Sequence, residues 1–480
     1  MKTVDGRLHA ALAALALMLL AAPPSARGES PGTRAPEGIW QGALQGVLRI
    51  VIHIDRGPTG TLTGTMDSPD QGAMGLALDT LVFAGDSLRF ELRRIRGGYA
   101  GKMTPAGDSI AGEWRQGGMA LPLGLKHVDK APTLRRPQEP QRPFPYDTAA
   151  VVYDNAKAGI QLAGTLTLPR GAGPFPCALL ITGSGPEDRD EAVFGHRPFL
   201  VLADHLTRQG IAVLRVDDRG VGGSTGRFSQ ATSEDFAGDV LAGIEFLKTR
   251  REIDRKRIGL IGHSEGGLIA PMVATRSKDV AFIVLMAGPG IPGDSTLMLQ
   301  SAAIRRSVGA SEASIAQEMV VSRRIYAQLR QGDSAGVVRT ARELVGLQVA
   351  GLPEEQRSAV GDLDSAATAA SRQLFGPWMR FFVTYDPRPA LRRVRCPVLA
   401  INGEKDLQVL PKENLAAIET ALKAGGNRDH TVKELPGLNH LFQTCTLCTI
   451  AEYTRLEETM APVALEEISR WIQARTTAKR

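Results

Sequence analysis

The stretch RIGLIGHSEGGLIAPMVAT, residues 257–275, joins a strand to a helix across one sharp turn. RIGLIG has the apolar run of a buried strand and EGGLIAPMVAT begins a helix, so Ser264 lies on the turn between them. Such a turn forces its central residue toward a positive φ and brings two backbones close together, which explains the glycines Gly262 and Gly266. It also exposes the Ser264 hydroxyl at the helix start, where the N–H of Glu265 is predicted to stabilise an oxyanion. The bare G-x-S-x-G pattern arises by chance in a chain with 52 glycines, but in this context it predicts a nucleophile.

A serine hydroxyl is a weak nucleophile unless a base accepts its proton, and histidine is the usual base. Six of the eight histidines are set aside by position, because they lie in the N-terminal leader, in a β-rich first part, on a predicted helix, or beside Ser264 and pointing elsewhere. These are His9, His53, His127, His196, His205 and His263. His430 begins the last predicted strand, and His440 follows that strand in PGLNHLF. Because function gathers at the carboxyl ends of parallel strands, His440 is predicted to be the base.

A carboxylate is needed to fix the tautomer of that histidine. AINGEKDLQVL, residues 400–410, leaves a buried strand and turns at Gly403, which places Glu404 and Asp406 at the same edge of the sheet. Asp406 is preferred, because it stands three positions after the turn glycine and apolar residues follow it, which sets the acid beyond the turn. Glu404 is the alternative.

A second oxyanion donor is expected from GSGPEDRD, residues 183–190, the glycine-rich loop after the strand CALLIT. The backbone N–H of Ser184 is the preferred donor and that of Gly185 the next. The charged side chains of this loop either shape the rim of a pocket or form a solvated cluster; they are Glu187, Asp188 and Arg189.

Two further motifs indicate neither a cofactor nor a metal. DDRGVGGSTG, residues 217–226, is glycine-rich but lacks the G-x-x-x-x-G-K-[ST] order of a phosphate loop, so it is predicted to be a structural turn in which Asp217 pairs with Arg219. CTLC contains Cys445 and Cys448. Without a second CxxC or paired histidines, it predicts a local disulfide or two free thiols rather than a zinc site.

Residues 148–476 alternate apolar strands with amphipathic helices. Continuous Val, Ile and Leu runs fit strands covered on both faces, and the helices between them imply right-handed crossovers. The predicted fold class is therefore α/β, with a mostly parallel, doubly wound sheet. No strand is evident from about residue 296 to residue 386, and helical spacing predominates there. This insertion is predicted to be a helical cap over a pocket, with an ordinary surface excursion as the alternative.

The N-terminal third has a different composition. Residues 36–128 contain short, partly alternating runs between Gly, Asp and Pro turns and predict a small all-β domain, and the Pro-rich residues 129–147 predict a linker. Residues 1–26 have the basic start, short apolar run and small-residue tail of a signal peptide, too short for a stable membrane anchor. A secreted or periplasmic protein is expected, with no membrane anchor after cleavage. The net charge of +6 is dispersed, which argues against a nucleic-acid partner.

The motifs GSGPEDRD, DDRGVGGSTG, GHSEGG, NGEKD and LNH together resemble a bacterial α/β-hydrolase family of exported or thermophilic esterases with a small N-terminal β domain. The family is grouped with the serine aminopeptidase-like and dienelactone-hydrolase-like branches, and the resemblance spans about residues 36–476. It implies the α/β-hydrolase fold and carboxylesterase activity on short acyl chains, and it supports Ser264, Asp406 and His440 as the catalytic set. The cysteine-containing QTCTLCTIAEY after His440 departs from the family pattern. A dienelactone hydrolase proper would use cysteine as its nucleophile, so that substrate is disfavoured.

The expected function is a serine hydrolase that cleaves small-molecule, short-chain acyl esters through an acyl-enzyme. Two alternatives stay open. An exopeptidase of the same fold would hold the substrate amine with a rim carboxylate such as Glu187 or Asp188. A binding protein, finally, would use the β domain for recognition and leave the hydrolase domain idle. The sequence does not indicate the oligomeric state or the natural ester.

Overall fold

The described part of the chain comprises two sheets and the helices of the second one. The computed structural model describes residues 35–44, 48–69, 73–116, 119–130, 135–351, 357 and 363–476. The predicted signal peptide at residues 1–26 lies outside these ranges. Within them, no helix combines the length and apolarity needed to cross a bilayer.

The first sheet has nine antiparallel strands, in agreement with the predicted all-β domain. The strands are β1 (Gly38–Leu44), β2 (Leu48–Arg56), β3 (Leu62–Ser68), β4 (Ala73–Ala77), β5 (Thr80–Ala84), β6 (Ser87–Leu92), β7 (Gly97–Met103), β8 (Ser109–Gln116) and β9 (Met119–Val128). Their spatial order is β4-β3-β2-β1-β9-β8-β7-β6-β5. Alternate side chains of these strands enclose an apolar core that contains Trp40 and Trp114.

The second sheet has eight strands and carries the predicted site. The strands are β10 (Asp147–Asn155), β11 (Ile160–Leu168), β12 (Phe175–Ile181), β13 (Ala212–Val216), β14 (Ile253–His263), β15 (Val280–Met286), β16 (Val398–Gly403) and β17 (His430–Leu435), in the order β10-β11-β13-β12-β14-β15-β16-β17. The pairs β10–β11 and β11–β13 are antiparallel. The pairs from β13 to β17 are parallel. The carboxyl ends of these parallel strands therefore meet at one edge.

Helices cover both faces of this sheet. The helices outside the cap are α1 (Pro198–Arg208), α2 (Ser233–Thr249), α3 (Glu265–Ala274), α10 (Pro411–Ala424), α11 (Ile450–Tyr453) and α12 (Pro462–Thr476). Residues of α2, α3 and α10 join one apolar core, and residues of α1 and α12 join the core on the opposite face. The central strands are accordingly apolar on both sides, as the continuous Val, Ile and Leu runs predict.

Within its described residues, the segment between β15 and β16 contains helices joined by short loops and no strand. It contains α4 (Gly293–Ser307), α5 (Glu312–Gln331), α6 (Ser334–Ala350), α7 (Leu363–Leu374), α8 (Pro377–Thr384) and α9 (Arg388–Leu391). Side chains of α5 and α6 form a small apolar core of their own around Val321, Ile325 and Val337. This segment matches the insertion predicted at about residues 296–386, and it is called the cap below.

The predicted linker is bound to the second domain over its described part. The Arg136 guanidinium donates to the carbonyl oxygens of Gly195 and Leu456, both at 2.8 Å. The Gln138 side chain donates to the Met460 carbonyl at 2.7 Å and accepts from the Thr459 N–H at 2.6 Å. This proline-rich segment is thus fixed to the second domain at Arg136 and Gln138 and is not a free tether.

Candidate active site

Ser264 occupies the turn between β14 and α3 in a strained backbone conformation. Its φ is 52° and its ψ is −116°, a region that costs a residue other than glycine about 1–3 kcal/mol. The Ser264 N–H donates to the Met286 carbonyl at 2.8 Å, which ties the turn to the neighbouring strand. Ser264 is half-buried, whereas His263 and Glu265 on either side are buried. The turn therefore presents the serine side chain at the edge of the sheet, as the sequence predicts.

The two glycines around Ser264 meet the steric demand expected of them. A Cβ on Gly262 would lie 2.0 Å from the Gly266 carbonyl oxygen, and a Cβ on Gly266 would lie 2.1 Å from the Ile181 carbonyl oxygen. Both obstacles are backbone atoms, which cannot rotate away as a side chain could. The turn at residues 262–266 is called the elbow below. Strand β12, the elbow and α3 consequently pack in direct backbone contact.

His440 and Asp406 are brought together at the carboxyl ends of β17 and β16. The His440 Nδ1 lies 2.7 Å from Asp406 Oδ2, and both residues are buried. Asp406 Oδ1 accepts from the N–H groups of Gln408 at 2.7 Å and Val409 at 3.0 Å, so the carboxylate is fixed from both sides. Because a carboxylate only accepts, His440 Nδ1 carries the hydrogen, which leaves Nε2 with its lone pair free to accept a proton.

The alternative acid, Glu404, lies in a different environment. Its side chain is exposed, forms an ion pair with Lys405 at 3.0 Å and accepts from the Gly437 N–H at 3.0 Å. The Gly437 N–H is the main cause of the lowered pKa of Glu404. The structure therefore joins His440 to Asp406 and gives Glu404 other partners.

The loop after β12 passes directly beside Ser264. A Cβ on Gly183 would lie 3.4 Å from Ser264 Cβ, and the Gly183 N–H donates to Glu191 Oε1 at 2.8 Å. Ser184 follows as an exposed residue. The other predicted donor is the N–H of Glu265, the first residue of α3. The first N–H groups of a helix have no acceptor within that helix, so this N–H can bind another group. The two predicted oxyanion donors thus belong to segments that meet at Ser264.

His263 was expected to point away from the site because it lies beside Ser264, and this expectation is wrong. Its Nδ1 lies 2.9 Å from Glu191 Oε1 and its Nε2 lies 3.0 Å from the His440 carbonyl oxygen. Two acceptors require two N–H donors, so His263 binds as an imidazolium. Burial is the largest single effect and lowers the pKa of His263, but the charge and hydrogen bond of Glu191, the hydrogen bond to the His440 carbonyl and the charge of Asp406 together raise that pKa above its usual value. His263 therefore holds the backbone of His440 against the elbow and the loop after β12.

The charged side chains near this edge pair differently from the sequence prediction. Asp217 does not pair with Arg219: its Oδ2 accepts from Arg189 at 2.6 Å. Arg219 instead donates to Asp239 Oδ2 at 2.7 Å. Each partner comes from a distant segment, because the turn points the two neighbouring side chains in different directions. Arg189 is thus part of a structural ion pair. It belongs neither to a solvated charge cluster nor to an unpaired pocket rim.

The acidic residues of the loop after β12 are held by this environment. Burial and the nearby carboxylates of Glu191, Asp218 and Asp188 raise the pKa of Glu187 well above its usual value. Asp188 Oδ1 accepts from the N–H groups of Asp190 at 3.0 Å and Ala192 at 3.1 Å. Asp188 therefore shapes the loop itself, and Glu187 is driven toward its neutral form.

The CTLC motif forms a disulfide between Cys445 and Cys448, one of the two states that the sequence allows. The Cys445 N–H donates to the Gly437 carbonyl at 3.2 Å, and the Cys448 N–H donates to Glu452 Oε2 at 2.6 Å. Glu452 also lies close enough to the two sulfurs to resemble a metal-binding group, but sulfurs joined in a disulfide are not thiolate ligands. The disulfide closes a small loop between His440 and α11.

The eight-stranded sheet with helices on both faces, and the strained serine elbow at its edge, define an α/β-hydrolase domain. Residues 197–345 match the protein family described as "Serine aminopeptidase, S33". The chain is 26% identical over 313 residues to Esterase EstD of Thermotoga maritima, an alignment that covers 65% of each protein. It thus spans less than two thirds of the length of that relative. These two similarities confirm the family resemblance that the motifs predict.

Among solved structures, the chain is similar to the Pyrococcus furiosus esterase Pf2001, with 17% identity, coverage of 72% of this chain and 98% of that one, and a TM-score of 0.42. It is also similar to the α/β-hydrolase GrgF from Penicillium sp. sh18, with 16% identity, coverage of 69% and 99%, and a TM-score of 0.43.

Sequence reasoning missed two contacts at this site. One is the bridge from Glu191 through His263 to His440; the H of GHSEGG is visible, but nothing in the sequence indicates its partner. The other joins the Glu265 carboxylate to Trp378 of the cap at 2.7 Å. The E of GHSEGG, a charged residue at the start of an otherwise apolar helix, is the sequence signal for such a polar partner.

Proposed function

We propose that the protein is an exported serine carboxylesterase that cleaves short-chain acyl esters of small molecules through an acyl-enzyme. The observation that carries this proposal is the contact of 2.7 Å between His440 Nδ1 and Asp406 Oδ2, which follow β17 and β16 at the same edge of the sheet where Ser264 follows β14. This arrangement supports Ser264 as nucleophile, His440 as base and Asp406 as the group that orients His440. The similarity to an esterase supports the substrate class.

In the first half of the reaction, Ser264 Oγ attacks the ester carbonyl carbon and its proton passes to His440 Nε2. The carbonyl oxygen becomes an oxyanion, which the N–H groups of Glu265 and Ser184 stabilise. When the tetrahedral intermediate collapses, the carbon–oxygen bond to the alcohol breaks, and the alcohol takes the proton from His440. The acyl group remains on Ser264.

In the second half, His440 Nε2 accepts a proton from water, and the oxygen of that water attacks the acyl carbon. Collapse of the second intermediate releases the carboxylic acid and returns the proton to Ser264 Oγ. Asp406 stays ionised throughout and stabilises the imidazolium. His263 holds the backbone of His440 in place relative to the elbow, so it acts as a positioning residue.

The exopeptidase alternative receives less support from the loop after β12. It requires an ionised rim carboxylate, but the pKa of Glu187 is raised by burial and by neighbouring carboxylates, and Asp188 already accepts two backbone N–H groups. Purified protein should therefore turn over p-nitrophenyl acetate and butyrate far faster than aminoacyl-p-nitroanilides. A preference for the anilides would overturn the esterase proposal in favour of the exopeptidase. Failure of a fluorophosphonate probe to label Ser264 would favour an idle domain.

The proposal includes export, with residues 1–26 as the signal peptide. The Cys445–Cys448 disulfide supports an oxidising compartment, since such bonds are rare in the cytosol. Cell fractionation and N-terminal sequencing should find a processed protein in the periplasm or the medium that starts near residue 27. An unprocessed N-terminus on an enzyme in the cytosol would contradict this part.

A further inference from the structure

A buried carboxylate beside the nucleophile connects the elbow with the cap. Glu265 is only 2% exposed, and its Oε1 accepts two hydrogen bonds. One comes from the Ser233 hydroxyl at 2.6 Å, at the first residue of α2. The other comes from the Trp378 Nε1–H at 2.7 Å, on cap helix α8. A single carboxylate oxygen of Glu265, the residue after Ser264, thus accepts hydrogen bonds from both the sheet domain and the cap.

The same carboxylate is also linked to both residues that are proposed to supply oxyanion donors. Glu265 supplies one donor through its own N–H. The other is the backbone N–H of Ser184, and the hydroxyl of that serine is close enough to the Glu265 carboxylate to lower its pKa. Burial raises the pKa of Glu265, and the hydrogen bonds from Ser233, Trp378 and Ser184 counteract that increase. All three groups that stabilise the carboxylate are neutral donors. The stability of the ionised carboxylate therefore depends on the positions of these donors and not on a nearby opposite charge.

Trp378 is held in place by the cap itself. Its ring stacks on Phe382, one turn further along α8, with centroids 5.0 Å apart and planes inclined by 20°. If α8 moved away from the sheet, the indole N–H would leave Glu265 and a buried acceptor would lose one of its two donors. Leaving such a group unsatisfied costs more than the bond contributes when it forms. The position of α8 and the position of the Glu265 side chain are therefore linked.

We infer that Glu265 is a positioning residue that couples the seating of the cap, through Trp378, to the alignment of the oxyanion donors beside Ser264. The inference rests on the proposed esterase function. Because the oxyanion develops only after attack, misaligned donors reduce kcat much more than substrate binding. A residue that merely stabilised the fold would instead lower the melting temperature and leave kcat per folded molecule unchanged.

The test replaces Trp378 by Phe, which keeps an aromatic ring over Phe382 and removes the N–H donor together with part of the indole ring system. Trp471→Phe is the matched control, because Trp471 also donates from Nε1, to Thr431 Oγ1 at 3.1 Å, on α12 at the opposite face of the sheet. With p-nitrophenyl butyrate, Trp378→Phe should lower kcat on the order of 10-fold with little change in KM, while Trp471→Phe should not. Equal kcat values for the two variants, measured on protein of equal folded fraction, would overturn the inference.

Two variants of Glu265 provide an independent check. Glu265→Gln keeps an acceptor oxygen for the two donors and should retain kcat within about 3-fold, whereas Glu265→Leu removes the acceptor and should lose at least ~10-fold. A Leu variant that folds and matches the Gln variant in kcat would overturn the coupling. Failure of the proposed function is distinguishable, because wild-type protein would then lack Ser264-dependent turnover. Wild-type activity with an unchanged Trp378→Phe variant would refute only the further inference.

Discussion

Replacing Gly262 by Ala is the most direct perturbation of the elbow, and its effect can be worked out from the structure. The added Cβ would lie 2.0 Å from the Gly266 carbonyl oxygen and 2.1 Å from the Gly266 carbonyl carbon, whereas real Cβ atoms essentially never approach closer than 3.0 Å. The strand and the first turn of α3 must therefore separate by about 1 Å. That displacement carries the N–H of Glu265 with it.

The expected size of the effect follows from this displacement. A misplacement of about 1 Å can reduce a rate by ~10²-fold, and forced overpacking costs about 1–3 kcal/mol of unfolding free energy. The matched control is Gly346→Ala on α6, where, among the described residues, no atom outside the two chain neighbours and the backbone of the same helix lies within 4 Å of the new Cβ. An alanine in the middle of a helix should stabilise by about 0.5–1 kcal/mol.

The assay combines kcat/KM for p-nitrophenyl butyrate with urea unfolding of both variants. Gly262→Ala should lose activity far beyond its loss of stability, and Gly346→Ala should keep full activity. If Gly262→Ala retained the kcat/KM of the wild type, the backbone contact would not position the oxyanion donor, and the steric account of the elbow would be refuted.

The remaining predictions concern the base and its supports. Asp406→Asn should lower kcat by roughly 10⁴-fold, because the histidine would be held in the wrong tautomer, whereas Glu404→Gln should leave it unchanged; the reverse order in esterase assays would make Glu404 the acid. Since the pKa of His263 is raised in the folded state above its usual 6.5, its pairing with Glu191 stabilises fully below that pH and is lost as pH rises through the folded value. The difference in unfolding free energy between wild type and His263→Gln should therefore shrink as the pH rises above about 6.5. Urea titrations that found a constant or growing difference would contradict the imidazolium.

The parts of the structure that local rules decide were predictable from the sequence. The elbow glycines follow from sterics within a few residues, and the positions of Asp406 and His440 follow from the rule that parallel strands end at one edge. The same rule locates the loop of Ser184, since that loop also follows a parallel strand. Apolar periodicity was enough to separate the two sheets and the helical cap.

The missing parts are contacts between distant segments whose side-chain directions the sequence does not determine. Asp217 and Arg219 are two positions apart and opposite in charge, which suggested an ion pair. In the fold, however, Asp217 binds Arg189 and Arg219 binds Asp239. His263 was set aside because it adjoins the nucleophile, yet the same adjacency lets it reach the His440 carbonyl. Its partner Glu191 has a positive φ of 53° in a loop whose path depends on tertiary packing. The sequence carries no signal for that path.

The central claim is that Ser264 is the nucleophile of an acyl-enzyme mechanism. The measurement that tests it most directly is turnover of p-nitrophenyl butyrate by Ser264→Ala, with circular dichroism and urea unfolding to establish that the variant is folded. We predict a loss of kcat of several orders of magnitude, on the scale of ~10⁶-fold, with unfolding like that of the wild type. Turnover within about 10-fold of the wild type by the folded variant would contradict the account, because no acyl-enzyme can form on alanine.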